Sequence, residues 1–302
     1  MTQQNSRETE EHPRFSLIVA YSNSAAMSSP SESSKAKKRR REAEIEDDGG
    51  DNTENFSLVC YVYFNAEDCL TFNDTLAALH MMRAQFPTID KVSIQPFILQ
   101  SQLYSSLKDR TEVDRELECL KREKVVRVFK LNTGQDDHAI MFLDDYLKQI
   151  DHAISRFEER MKRGKEIFLW FKTHVIDCKL EPSIGHQELC TLLSLGGKIK
   201  DEDISLLMNT GLLNRQLIDP NVYWFAIPSI GSVLKDISQG RKELVSLLKR
   251  TKYKEMMMTS LQKKRLRFSS LDMRFHIRDL IGSGYLRTVQ SPTGLLVQLS
   301  KD

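Results

Sequence analysis

The residues best equipped for chemistry are cations. Arg241, Lys242, Lys249, Arg250, Lys252, Lys254, Lys263, Lys264, Arg265 and Arg267 face only Glu243 and Glu255 in the same stretch. That is an excess of eight positive charges in a chain whose total is +2. Such a local field attracts polyanions, and on duplex DNA each neutralised phosphate releases counterions. Contacts of this kind fix position on the backbone and carry little sequence information. Arg274 and Arg278 fall on the polar side of the next helical stretch and extend the candidate phosphate-contacting set. The plainer reading is a solvated helix face.

A second basic block, Lys35, Lys37, Lys38, Arg39, Arg40 and Arg41, lies in a segment rich in Ser, Glu and Asn. A compact basic block in a flexible arm reads as a nuclear localisation signal, so the expected location is the nucleus. The acidic run at 42–51 argues against this arm binding DNA strongly by itself.

Catalysis is poorly provided for. A protein kinase needs a Gly-rich phosphate loop, a strand lysine paired to a helix glutamate, an HRD-type catalytic loop and a DFG metal ligand. None of those strings occurs. Gly282-Ser283-Gly284 reads as a helix stop. His138, His152, His174 and His186 stand singly, and the pairs Asp136-Asp137 and Asp144-Asp145 read as turn and helix-cap residues. The five cysteines show no CxxC pair, so neither a zinc site nor a disulfide framework is indicated and a reducing compartment is expected. No cofactor, metal or enzymatic activity is expected. No apolar run approaches the roughly 20 residues of a membrane span.

The elements that position these residues share one grammar, written three times. Leu117 and Leu120 lead to Val125 and Val126; Ile204 and Leu207 to Leu212 and Leu213; Ile277 and Leu280 to Tyr285 and Leu286. A three-residue step keeps two apolar groups on one helix face. A five-residue gap then turns the chain, helped by Gly211, Gly282 and Gly284. Each copy runs on into a hairpin, at 127–131 with 138–143, 215–218 with 222–227, and 287–290 with 295–299. Helices are expected at 66–86, 94–107, from Thr111 as cap, 144–163, 165–177, 185–194, 201–209, 240–250 and 253–261, with a last one ending at Gly282. Ile167, Phe168, Trp170, Phe171, Trp224 and Phe225 read as core, and the helix at 273–280 is the candidate recognition helix.

Helix, strand, loop, strand is the second half of a winged helix. The predicted fold is therefore mainly α with small β-hairpins, an α+β class of three tandem winged-helix domains. These would occupy 56–145, 146–229 and 230–302, the last being the basic one, behind a disordered arm at 1–55.

Several strings also carry a family resemblance. Ser101-Gln102-Leu103-Tyr104-Ser105, Asp109-Arg110-Thr111, Asp114-Arg115, Gly240-Arg241-Lys242, Lys252-Tyr253-Lys254-Glu255 and His276-Ile277-Arg278-Asp279-Leu280-Ile281-Gly282 occur in that order. Together they resemble the serine/threonine-protein kinase 19 family, from about Phe86 to Leu299. The resemblance implies nuclear proteins of three tandem winged helices that bind DNA, for which the kinase name is a misnomer. It also implies a bridging role in transcription-coupled nucleotide excision repair. The partners implied are RNA polymerase II, the Cockayne-syndrome repair factors and the transcription/repair helicase complex. The alternative is a scaffold whose winged helices contact proteins without direct DNA binding; a kinase is a remote third.

Overall fold

Three times the chain runs helix, short strand, helix, helix, strand, strand. The computed structural model describes residues 74–89, 92–133, 137–158 and 165–300. The arm at 1–55, its basic block and the first part of the helix expected from residue 66 lie outside the described residues.

The first set holds α1 (Asp74–Ala84), β1 (Ile98–Leu99), α2 (Gln100–Ser106), α3 (Arg110–Arg122), β2 (Val126–Lys130) and β3 (His138–Phe142). Helix α4 (Leu143–Glu158) follows. The second set holds α5 (Lys165–Trp170), which runs on as a π-helical turn at Phe171–Ile176, then β4 (Ser183–Gly185), α6 (His186–Ser194), α7 (Asp201–Asn209), β5 (Leu213–Arg215) and β6 (Val222–Phe225). The third holds α8 (Gly231–Lys249), β7 (Glu255–Met257), α9 (Met258–Gln262), α10 (Met273–Gly282), β8 (Leu286–Ser291) and β9 (Gly294–Leu299). The three sheets are antiparallel, with orders β1-β3-β2, β4-β6-β5 and β7-β9-β8. In each, the hairpin's return strand lies in the middle.

The three helix stops share a backbone solution. Lys124, Gly211 and Gly284 each sit two residues beyond their helix at φ 59°, 79° and 84°. Glycine takes this left-handed conformation freely, whereas Lys124 adopts it at a cost of about 1 kcal/mol. The turn is closed by Val125 N donating to Leu120 O at 3.0 Å and Leu212 N to Leu207 O at 3.0 Å. Such bonds satisfy carbonyls that a helix end leaves unpaired.

Several expected boundaries move. The helix expected at 94–107 begins with strand β1, and that expected at 253–261 contains strand β7. A strand of two or three residues shows no alternation, and what stabilises it is pairing with a distant return strand: Ile98 with Ile140, Met256 with Val297. The expected strand at 215–218 ends at Arg215, because Gln216 and Asp219 close the loop onto Val222 and Asn221. Helix α8 starts at Gly231, well before the expected 240. The cap of α3 is Asp109 rather than Thr111; its carboxylate accepts from the backbone of Thr111 and Glu112 at 2.9 and 3.2 Å. Of the expected aromatic core, Phe168, Phe171 and Phe225 are buried, whereas Trp170 and Trp224 are half-buried.

The cores are not separate. Ala78, Leu79, Leu103, Leu117 and Leu120 gather in the first set, and Leu244, Leu261, Ile277, Leu280 and Val297 in the third. The largest cluster spans all three, from Phe97 and Tyr146 through Phe171 and Phe225 to Ile237 and Phe275. Each such side chain contributes about 1.5–3 kcal/mol on burial. Between the first two sheets, the buried Arg127 stacks its guanidinium 4.2 Å from the Phe225 ring centroid and donates to Ile176 O at 3.2 Å. Burial pushes its pKa below the ordinary arginine value. Asp144 and Asp145 both hold Arg83, at 2.8 and 2.6 Å.

Candidate nucleic-acid interface

The basic stretch of the third set falls into two groups. Lys249 ends α8 and Arg250 follows it, with Lys252 and Lys254 in the turn into β7; Lys242 lies earlier on α8. Lys263, Lys264, Arg265 and Arg267 lie between α9 and α10. All nine are exposed, and none forms an ion pair with another described residue.

The stretch's own acids are engaged elsewhere. Glu243 accepts the backbone N–H groups of Arg267 and Phe268 at 2.9 to 3.1 Å, and Glu255 accepts from the Gln298 amide. Asp236 likewise takes the backbone N–H of Ser270 at 3.1 Å. Carboxylates of α8 therefore anchor the loop that displays Lys263 to Arg267. Arg274 is also exposed, near the start of α10.

Two residues of the expected set turn inward. Arg241 donates through Nε and Nη2 to both oxygens of Asp279 at 2.6 and 2.9 Å, and through Nη1 to Asp137 at 2.7 Å. Burial opposes its charge, but the bonds to Asp279 and Asp137 outweigh it, so its pKa stands above the ordinary arginine value. Its donors are used inside the protein, which removes it from any phosphate-contacting surface. Arg278 is half-buried, bonds the Gln85 side chain and has its pKa lowered by burial.

The expected recognition helix is covered. In α10, Met273, Phe275, His276, Ile277, Asp279, Leu280 and Gly282 are all buried. The helix packs against α2 of the first set. Ser101 Oγ donates to Asp279 at 2.7 Å, Gln102 Nε2 to Phe275 O at 3.1 Å and Arg110 Nη2 to Gly282 O at 2.9 Å. Phe86, Phe97 and Phe275 cluster beside it with ring centroids 5.1 to 6.3 Å apart. A helix held this way cannot enter a major groove without breaking the contact.

His276, fully buried on α10, faces Asp279, Arg241, Asp272 and Asp236 and pairs its Nε2 with Ser269 Oγ at 2.9 Å. Burial pushes its pKa down to about 4. In the unfolded chain it titrates near 6.5, so between these values the unfolded state binds more protons. Stability is therefore unaffected above about pH 6.5 and falls by roughly 3 kcal/mol as pH drops to about 4. Melting temperature measured from neutral to acid pH should fall less steeply for His276→Gln than for the native chain; parallel profiles would contradict this.

The corresponding helices of the other sets are richer in acids. Helix α3 carries Glu112, Asp114, Glu116 and Glu118 among its cations, and α7 opens with Asp201, Glu202 and Asp203. The loop joining β5 to β6 displays Leu217 and Ile218, 100% and 91% exposed.

Exposed aromatic residues are the feature not anticipated from sequence. Tyr253, Phe268 and Tyr285 are 69%, 64% and 50% exposed. Leu286, the neighbour of Tyr285 at the strand start, is buried. The available signal was that Tyr253 and Phe268 each adjoin a cation in the chain, Lys252 and Lys254 for one and Arg267 for the other.

Among the described residues, no group of three or more His, Cys, Asp or Glu side chains is placed to hold a metal ion. No described helix is long and apolar enough to cross a membrane.

The chain is similar to known proteins named as winged helix repair factors. A Winged helix repair factor 1 from Xenopus laevis is 29% identical over 234 residues, covering 76% of this chain and 84% of its own. The Homo sapiens protein of that name is 27% identical over 225 residues, covering 74% and 84%. That of Dictyostelium discoideum is 27% identical over 285 residues, covering 84% and 68%. The family model described as inactive serine-threonine protein kinase 19 matches residues 67–299, and the chain belongs to that family.

Proposed function

We propose that this protein is a non-catalytic nuclear DNA-binding factor of three tandem winged helices, at about 56–145, 146–229 and 230–302. The first boundary falls inside α4, whose Tyr146 packs on Phe129 of β2 with ring centroids 4.7 Å apart. The third unit contacts duplex phosphates through Lys242, Lys249, Arg250, Lys252, Lys254, Lys263, Lys264, Arg265, Arg267 and Arg274. The observation that carries this reading is the set of exposed cations without ion pairs among the described residues, while Glu243 anchors the loop beside them and Glu255 bonds Gln298. Because α10 is covered, binding is sequence-independent.

A protein-facing role for the second unit has its own support. Its acidic α7 repels phosphate, and its wing ends in Leu217 and Ile218 rather than in cations. The two surfaces suit a bridging factor in transcription-coupled repair, meeting DNA with one unit and RNA polymerase II, Cockayne-syndrome factors or the repair helicase complex with another. The repair-factor names of its relatives support this assignment.

The test is Lys249→Glu/Arg250→Glu/Lys263→Glu/Lys264→Glu, assayed by fluorescence anisotropy on a labelled duplex. Affinity should fall on the order of a hundredfold at low salt, with the melting temperature kept. Cells carrying this variant should recover transcription slowly after ultraviolet irradiation. Unchanged affinity in a folded variant would move the reading to a scaffold without DNA contact.

A further inference from the structure

Tyr253 and Tyr285 stand at one end of the third sheet. Leu286 of β8 pairs with Leu299 of β9, and Glu255 of β7 pairs with Gln298 on the other side. Beyond those pairs, Lys254 O accepts from Leu299 N at 3.1 Å and Tyr285 O from Ser300 N at 3.0 Å. Lys254 and Tyr285 thus flank the end of the central strand, two strand spacings or about 10 Å apart, and Tyr253 directly precedes Lys254. Both rings are half-exposed or more, in a protein whose other tyrosines include the fully buried Tyr146 and Tyr223.

The chain segments that meet at this end are rich in cations. Lys249, Arg250, Lys252, Lys254 and Arg287 are all exposed, and the Lys252 ammonium lies 5.1 Å from the Tyr253 ring centroid. Aromatic faces beside phosphate-binding cations match a polymer that alternates flat bases with phosphates. A duplex keeps its base faces stacked inside, so exposed rings find partners only on unpaired bases.

We propose that this end of the third sheet is a base-stacking site for single-stranded DNA, with Tyr253 and Tyr285 as the platforms and the five cations holding the backbone. The proposal rests on the DNA-binding reading of the same unit and names its second substrate form, an unpaired strand. Such a site lets the protein hold a duplex where it gives way to melted DNA.

The full chain is titrated with a fluorescein-labelled thymidine oligomer and with a duplex of matched length. Tyr253→Ala and Tyr285→Ala should each weaken single-strand binding about tenfold while changing duplex binding by less than about twofold. Tyr→Phe at either position should retain single-strand binding, since stacking needs the ring and not the hydroxyl. An oligomer carrying 5-iododeoxyuridine should photocrosslink the unmodified protein at Tyr253 or Tyr285, a readout independent of variant folding. Alanine variants that bind the single strand normally, equal losses on both DNA forms, or crosslinks confined to other segments would overturn the proposal. If duplex binding remains charge-dependent while these results appear, only the stacking site is lost. If neither DNA form binds, the DNA-binding reading falls with it.

Discussion

Gly282→Ala is expected to destabilise the protein by about 3 kcal/mol or more, lowering the melting temperature by about 6–12 °C. A Cβ at Gly282 would overlap the carbonyl oxygen of Ser101 and lie 2.5 Å from its carbonyl carbon and 3.1 Å from the Ser105 nitrogen. These are backbone atoms of α2, so no rotamer change relieves the clash. The helices must separate, and with them Ser101 from Asp279 and Arg110 from the Gly282 carbonyl. Thermal denaturation checks the magnitude, and hydrogen exchange should show α2 and α10 losing protection together. Gly284→Ala is the control at the same helix end: it meets nothing within 4 Å but sits at φ 84°, so it strains only its own turn. A Gly282→Ala protein as stable as the native chain would mean that α2 and α10 do not pack as described.

Asp279→Ala is expected to cost about 3 kcal/mol, because it breaks a mostly buried ion pair and takes two acceptors from the half-buried Arg241 guanidinium. Asp279 is fully buried and accepts from two nitrogens of Arg241 and from Ser101 Oγ. Without it Arg241 loses both of these bonds and keeps its bond to Asp137. A double-mutant cycle with Arg241→Ala isolates the pair, and should return a coupling of about 2–3 kcal/mol because either single change removes the same two-bond contact. Purely additive effects would show that the pair is not coupled. The same comparison separates structural from surface arginines. Arg241→Ala should lower stability yet leave the salt dependence of DNA binding intact in the folded fraction, whereas Lys249→Ala should do the reverse.

What could be read from sequence was local. The steps from Leu117, Ile204 and Ile277 to the strands that follow them rest on helix-face spacing and on a left-handed residue, both written within a dozen positions. The density of Lys and Arg around 241–267 was equally plain, and nine of its ten cations are exposed. What could not be read was pairing at a distance. Ser101 and Asp279 are 178 positions apart and Arg241 and Asp137 are 104 apart, so nothing near Arg241 marks it as an internal strut rather than a surface charge. The covering of α10 has the same origin: its apolar positions suit a helix packed on one side, and only the arrival of α2 buries the side holding Asp279 and Gly282. Strands β1, β4 and β7 escaped because two or three residues carry no period.

If the third unit holds duplex DNA through its exposed cations, which have no ion pair among the described residues, binding must depend on salt. The most direct measurement is the affinity for a random-sequence duplex across a series of salt concentrations, for the native chain and for the four-fold charge reversal. Log affinity should fall linearly with log salt at a slope of about −4 or steeper, and with a clearly shallower slope in the folded variant. A flat dependence, or equal slopes in the two proteins, would contradict it.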